Sequence, residues 1–232
     1  MLGRRRLRFV TRLGPVLETE AANASPIIEI FAYDEYDVPL DWSQLRTVVD
    51  IGAHVGAFTV YAAFRAPQAR VVAVEPEPRN FGDLCANVER NGIGSRVEAL
   101  NRALGAPGSL IELHVPRHRE SGSVFGEEGT IVRAEGVSLQ QIVEGLDGGV
   151  DLLKLDCEGA EWDLLDTAPD ALWRGVARIV MECHAIRGHT VDEMVGRLRG
   201  KGFEVQVLWQ KPSFVTWADE VALIWATQAR SR

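Results

Sequence analysis

From residue 47 onward, short apolar runs alternate with amphipathic stretches. The first run ends in the turn that most narrows what the chain can become: Val48-Val49-Asp50-Ile51-Gly52-Ala53-His54-Val55-Gly56. A strand that passes through small residues straight into a helix opens a βαβ unit, and its repetition predicts an α/β fold around a mainly parallel sheet. Gly52 can take φ values that other residues resist, and Gly56 lets the backbone approach a ligand or the strand without a Cβ in the way. Such a turn is suited to hold a cofactor-sized anion or zwitterion at a helix N-terminus. The pattern is D-x-G-x-x-x-G. It lacks the middle glycine of G-x-G-x-x-G, which brings backbone close to the pyrophosphate of NAD or FAD. Asp50, at the strand tip, suits a cationic amine or water-bridged hydroxyls. The plain alternative is a strand-turn-helix that binds nothing.

With 232 residues the chain is long enough for one well-buried α/β domain. A net charge of −8 opposes nucleic-acid phosphates, so nucleic acid is not an expected partner. No apolar run approaches membrane-spanning length. Arg4-Arg5-Arg6-Leu7-Arg8, followed by Phe9-Val10 and Thr11-Arg12, lacks the apolar core and cleavage site of a secretory signal, and reads as a solvated, partly mobile arm. Cys85, Cys157 and Cys183 form no C-x-x-C pair, which suits a reducing cytoplasm. Cys157 and Cys183 sit at the ends of two expected strands and read as small buried apolar residues.

Strands are expected over 47–51, 70–75, 96–100, 151–156 and 178–182, then a closing antiparallel pair over 203–209 and 220–226. Helices are expected over 56–65, on the face of Phe81, Leu84, Cys85 and Val88, over 138–146, after Gly159, and after Thr190. Ser138 with Gln141 and Thr190 with Glu193 have capping-box spacing, and Val191, Met194, Val195 and Leu198 form an apolar stripe. Residues 105–137 break the rhythm as an inserted exposed strand over 110–115 and a Ser, Gly and Glu rich loop over 119–130, a candidate lid. Residues 1–46 read as an N-terminal arm with an appended strand and loop, Tyr33, Tyr36 and Trp42 being available to cover the sheet or the site, and 47–232 as the main domain.

Ligands of open α/β sheets sit beyond the carboxyl ends of the strands, so Asp50, Glu75, Asn101, Asp156 and Glu182 should border one cleft. Glu75, at the end of the second strand before Pro76, can accept both ribose hydroxyls of an adenosyl group, whether or not that group is part of NAD. Asn101 and the small Ala103 can read an adenine edge. Lys154 is out of place in a central parallel strand, where a buried ammonium needs a carboxylate. Strand parity puts Asp156 on its side and Glu182 at similar height, giving an expected Lys154, Asp156 and Glu182 cluster, which a purely structural ion network would equally explain. His184 is the preferred general base because an imidazole with an ordinary pKa near 6.5 suits proton removal at neutral pH, with His54, Asp156 or His189 as substitutes. Asp156, Glu182 and His184 also offer a possible but not favoured divalent-metal site.

Leu153-Lys154-Leu155-Asp156-Cys157-Glu158-Gly159-Ala160-Glu161 resembles the K-x-D-x-E-G-x-E block of the FkbM-type S-adenosylmethionine-dependent methyltransferases. Val48 to Gly56, Val74-Glu75-Pro76 and Met181-Glu182-Cys183-His184 are similar as well, over roughly residues 47–210. The resemblance implies a Rossmann-like class I methyltransferase fold, a mainly parallel seven-stranded sheet with a C-terminal antiparallel hairpin. It implies O-methylation of a hydroxyl on a small molecule, a sugar or natural-product intermediate, with Asp50, Gly52, Gly56 and Glu75 on the cofactor and Asp156 near the reactive methyl. Ala53, His54, Pro76, Asn101 and Ala103 complete the expected cofactor surface. The rivals are a NAD-dependent oxidoreductase and an inactive cofactor-binding partner subunit; self-association stays open.

Overall fold

The computed structural model describes residues 5–116, 129–146, 148–186, 188–212 and 220–229. The chain opens with an antiparallel hairpin, β1 (Arg6–Val10) and β2 (Val16–Glu20), and then α1 (Ser25–Ala32). The alternating part follows as β3 (Thr47–Ile51), α2 (Ala57–Arg65), β4 (Arg70–Val74), α3 (Pro78–Arg90) and β5 (Val97–Leu100). An insertion carries β6 (Ala103–Leu104), β7 (Leu110–Pro116) and β8 (Gly129–Val137), ahead of α4 (Leu139–Glu144). The rest is β9 (Leu152–Leu155), α5 (Ala160–Thr167), α6 (Asp170–Trp173), β10 (Arg178–Ala185), α7 (Val191–Gly200), β11 (Phe203–Pro212) and β12 (Glu220–Gln228).

Seven strands form one sheet in the order β5-β4-β3-β9-β10-β12-β11. β3, β4, β5, β9 and β10 run parallel, and β12 runs antiparallel between β10 and β11. This is the Rossmann-like class I arrangement with its closing hairpin. Because central parallel strands are covered on both faces, their side chains are apolar on both. Val48, Val71 and Ala73 face a core made with α1, α2 and α3, through Ile27, Phe58, Tyr61 and Leu84. Val49, Val72 and Leu153 face the other, made with α4 to α7 through Leu165, Trp173 and Met194. The chain builds β4 and β5 on one side of β3 and later returns to its other side with β9. Strand order therefore reverses beside β3, and the carboxyl ends of β3 and β9 form the switch point at which open α/β sheets take their ligands.

Several expectations change. Of the arginine-rich stretch expected as an arm, Arg6–Val10 is a strand with exposed arginines, Arg6 pairing with Asp83 at 2.7 Å and Arg8 with Glu18 at 2.9 Å, and Arg12 beyond it pairs with Asp34. Arg4 lies outside the described residues. α1 was not expected; Pro26 in its first turn starts it, and Ile27, Ile30 and Phe31 bury one face. Tyr36 and Trp42 are buried against α2, packing edge-on onto Phe58 and Tyr61 at 5.1 and 5.3 Å, whereas Tyr33 is 76% exposed. The insertion holds a second long strand, β8, paired with β7 in a register that sets Glu112 opposite Arg133, and with β6 on its other edge. The proposed lid falls mostly on residues 117–128, which lie outside the described residues. β10 runs three residues beyond its expected end, which places His184 within it.

Side chains of α3 fasten the hairpin: Thr19 donates to Asp83 at 2.8 Å, Asn91 accepts the Val16 N–H at 2.9 Å and donates to its carbonyl at 2.8 Å, and the buried Asn87 lies between them. Asn87 accepts the Glu18 N–H at 2.8 Å and donates to the carbonyls of Glu18 at 3.2 Å and Val55 at 2.9 Å. Asn87→Ala strands these backbone groups. It is expected to cost about 1–3 kcal/mol in chemical denaturation, and an unchanged midpoint would show that the hairpin is held otherwise.

Candidate active site

The turn after β3 is held by its own backbone. The Gly52 and Ala53 N–H groups both donate to the Val74 carbonyl at 3.0 Å, and the His54 N–H donates to Glu75 Oε2 at 2.8 Å. Gly52, His54 and Gly56 have φ of +75°, +51° and +82°. A Cβ on Gly52 would stand 1.8 Å from the Asp156 carbonyl oxygen, and one on Gly56 would stand 2.6 Å from Leu84 Cδ1. The glycines thus serve close approach of the turn to the end of β9 and to α3. The expectation that Gly56 clears space for a ligand or the strand is corrected: its neighbour is α3. Gly56 N-caps α2 without a side-chain acceptor, so the uncapped donors here are the first N–H groups of α2.

Glu75 is buried beside this turn. Its Oε1 accepts the Glu77 N–H at 2.9 Å, the mate of the His54 contact at Oε2. Burial pushes its carboxyl up to about 7, against the two N–H groups that hold it down. Asn101 donates to the main-chain carbonyls of Glu75 at 2.8 Å and Pro76 at 3.0 Å, so its amide hydrogens brace this turn rather than face an adenine. Ala103 is buried in β6 against β8 and presents no surface to a ligand. Ala53 is likewise buried.

Lys154, Asp156 and Glu182 come together as expected, with a fourth member. Asp50 stands directly opposite Lys154 in the β3/β9 register, and its Oδ1 is 3.2 Å from Lys154 Nζ. Asp50 is fully buried and its Oδ2 accepts the Thr59 hydroxyl at 2.6 Å. The amine it receives is therefore Lys154, which corrects its placement at an open strand tip. Lys154 also donates to the Gly52 carbonyl at 2.8 Å and lies 3.5 Å from Asp156 Oδ2. Burial pulls this ammonium down, but Asp50 and Asp156 outweigh it and it ends above its ordinary value. Burial likewise raises Asp156, yet Lys154 and His184 hold it below the usual carboxylate range. Glu182 goes the other way, driven up by burial and by Asp156. At neutral pH Asp156 is ionised, its side chain 26% exposed toward the crevice, and Glu182 carries a proton.

His184 is buried, with Nδ1 3.5 Å from Glu161 Oε1 and Nε2 3.8 Å from both Glu158 and Glu182. Burial lowers its pKa, but Glu161, Asp156 and Glu158 more than offset this and raise it to about 9. An imidazolium at neutral pH is not the neutral base that an ordinary pKa implies. His54 serves the turn through its N–H, and His189 is engaged with Glu193 at 3.1 Å at the start of α7. The sequence reading gave no role to Glu161, whose Oε1 and Oε2 accept the N–H groups of Cys157 and Gly159 at 2.7 and 2.8 Å. Among the described residues, Asp156, Glu161 and His184 have atoms close enough together to hold a metal ion. That trio differs from the expected one by Glu161 in place of Glu182. Glu161 already spends its oxygens on the main chain, and Lys154 supplies positive charge beside Asp156, so these residues do not fit an added cation well. Cys157 and Cys183 are free thiols, the second of them buried.

This architecture and crevice belong to the class I methyltransferase fold. The N-terminal domain of EvdMO1, solved with SAH bound, is similar with a TM-score of 0.51 and 17% identity, covering 88% of this chain and 81% of that one. The chain is a member of the FkbM methyltransferase-domain family, whose model matches residues 50–205. It is 28% identical to 31-O-demethyl-FK506 methyltransferase FkbM of Streptomyces tacrolimicus, over 72% of this chain and 75% of that protein. It is 32% identical to AMB antimetabolite synthetase AmbE of Pseudomonas aeruginosa over 77% of its own length, and spans 10% of that larger protein.

Glu75, Glu182 and His184 all bind protons more tightly folded than at their ordinary values, so the folded chain holds more protons than the unfolded one. Stability therefore falls as pH rises, from the ordinary carboxylate value of 4.5 up through the folded His184 value of about 9. Asp156, held down, contributes stability that is lost only as pH falls below its ordinary 3.8. Urea unfolding of the cofactor-free protein should lose at most about 1.4 kcal/mol per pH unit for each group in mid-titration. A flat or rising profile across this window would contradict these protonation states.

Proposed function

We propose that the chain is an S-adenosylmethionine-dependent O-methyltransferase acting on a hydroxyl of a small molecule, a sugar or a natural-product intermediate. The observation that carries this reading is Asp156: an ionised, partly exposed carboxylate at the end of β9, braced by Lys154, in the switch-point crevice of an FkbM-family chain. The cofactor fits the residues present. The first N–H groups of α2, which lack a side-chain cap, suit a carboxylate, and Glu75 stands at the end of β4 where its carboxyl suits ribose hydroxyls. When bound, the cofactor supplies a methyl group already activated on a sulfonium. The chain's own tasks are then to align the acceptor hydroxyl, exclude water and take up its proton, and alignment is the largest of these. Asp156 is suited to the last because it stays deprotonated where Glu182 and His184 hold their protons.

The names of relatives support the reading: one is named for a methyltransferase acting on 31-O-demethyl-FK506, and EvdMO1 was crystallised in the presence of SAH and D-fucose. The ionised Asp156 and the half-exposed Glu158 carboxylate at this end of the sheet favour neutral or cationic acceptors over phosphorylated ones. Family membership and the D-x-G-x-x-x-G turn both speak against a nicotinamide enzyme, and an intact Asp156 speaks against an inactive partner.

Titration with S-adenosylhomocysteine beside NAD tests the cofactor; binding of NAD alone would overturn the reading. Asp156→Asn should keep S-adenosylhomocysteine binding and lose roughly 10²-fold or more in turnover, and unchanged turnover would remove Asp156 as the proton acceptor. Paired acceptors differing by one phosphate, assayed with labelled cofactor, should show the neutral member methylated faster; the reverse order would contradict an acidic acceptor site.

A further inference from the structure

The first turn of α5 grips His184 at two points. Glu161 is fully buried and stands 3.5 Å from the ring at Nδ1. The next residue, Trp162, donates its indole N–H to the His184 main-chain carbonyl at 2.8 Å. That indole is itself fixed: it stacks on His189 at 4.4 Å and 15°, and the Arg197 guanidinium lies over it at 5.1 Å. Consecutive residues on one helix therefore hold both the ring and the backbone of a residue on β10.

The same carboxylate shapes the turn before α5. Glu158 and Gly159 are both left-handed, at φ +56° and +101°. A non-glycine residue holds that conformation where the surroundings over-determine it. The N–H groups on either side of Glu158, those of Cys157 and Gly159, are the two that Glu161 accepts. This bend brings the Glu158 carboxylate to 3.8 Å from His184 Nε2, the same distance as Glu182. The ring is thus faced by Glu161 from α5, Glu158 from the turn, Glu182 from its own strand and Asp156 from the end of β9, with the apolar Val221 of β12 opposite in the sheet register. Lys154 and Glu35 act on the same group through Asp156 and Glu182.

We propose that Glu161 is a positioning residue of the site: through Nδ1 of His184 and the N–H groups of Cys157 and Gly159, it aims His184 Nε2 at the Glu158 carboxylate and the Glu182 carboxyl group beside Asp156. In the doubly protonated ring Nδ1–H faces the Glu161 carboxylate and Nε2–H is the donor turned to Glu158 and Glu182. His184 then orders the carboxylates and stabilises the ionised Asp156, while Asp156 alone takes the acceptor's proton. The geometric claim stands without the methyltransferase reading, and only its kinetic consequence rests on it.

The test is a ¹⁵N NMR titration of the histidine rings in the full cofactor-free chain, for wild type and Glu161→Gln. Wild-type His184 is expected to keep both nitrogens protonated through neutral pH. In Glu161→Gln its midpoint should fall by roughly one unit or more. A wild-type midpoint near the ordinary 6.5, or one unmoved in the variant, overturns the proposal. If Glu161→Gln does not fold, the wild-type titration still decides, since a neutral His184 ring at pH 7 refutes it. Kinetically, Glu161→Gln should lower kcat roughly tenfold or more with S-adenosylhomocysteine affinity kept, and move the alkaline limb of the pH–rate profile toward neutrality. Loss of rate with an unmoved profile would assign Glu161 a merely structural role and overturn the proposal. Failure of wild type to bind S-adenosylhomocysteine would instead strike the methyltransferase reading and leave the NMR result standing.

Discussion

A lysine and an aspartate face each other across the two middle strands of the sheet, and much of the site follows from that pair. Removing both charges from water is expensive, and the cost is offset only when geometry and further hydrogen bonds are good. Here Asp50 has Thr59 on its other oxygen, and Lys154 has the Gly52 carbonyl as well as Asp156. One ammonium thus joins the glycine turn, the strand beside it and the carboxylate at the crevice. Removing one partner leaves the other buried and uncompensated, the severe case for an ion pair.

The second consequence is a division of charge among the acids. Lys154 lies nearest Asp156 and Asp50, and Asp156 ionises at the expense of Glu182, which must then keep its proton. Glu161 spends its charge on two N–H groups and one imidazole. Carboxylates crowded into one crevice are thereby given different states by their environments, which is how chemically similar groups come to hold different roles.

The fold was legible where the signal is local. The runs that became β3, β4, β9 and β12 are apolar on both faces, and the capping boxes at Ser138 and Thr190 start the helices they predict. It was illegible where partners are distant. The arginines of β1 find acids on β2 and α3, and β8 exists because β7 lies across a long insertion from it. Strand parity alone joined Lys154, Asp156 and Glu182, whereas Asp50 entered only through strand order, since β9 lies next to β3. His184 was assigned the right neighbourhood and the wrong protonation state. Its deciding neighbour, Glu161, lies on a helix whose first turn folds back over the end of β10, and no spacing in the sequence shows that approach.

Asn87 ties the outermost part of the molecule to its innermost turn. One amide group bonds to Glu18 in β2 and to Val55 between the two glycines of the β3 turn, 37 residues apart in the chain. Order in the one is therefore linked to order in the other, and the linkage is reciprocal. Asn87→Ala removes hydrogen bonds at both ends at once, so damage at this residue reaches the outermost strands and the innermost turn together.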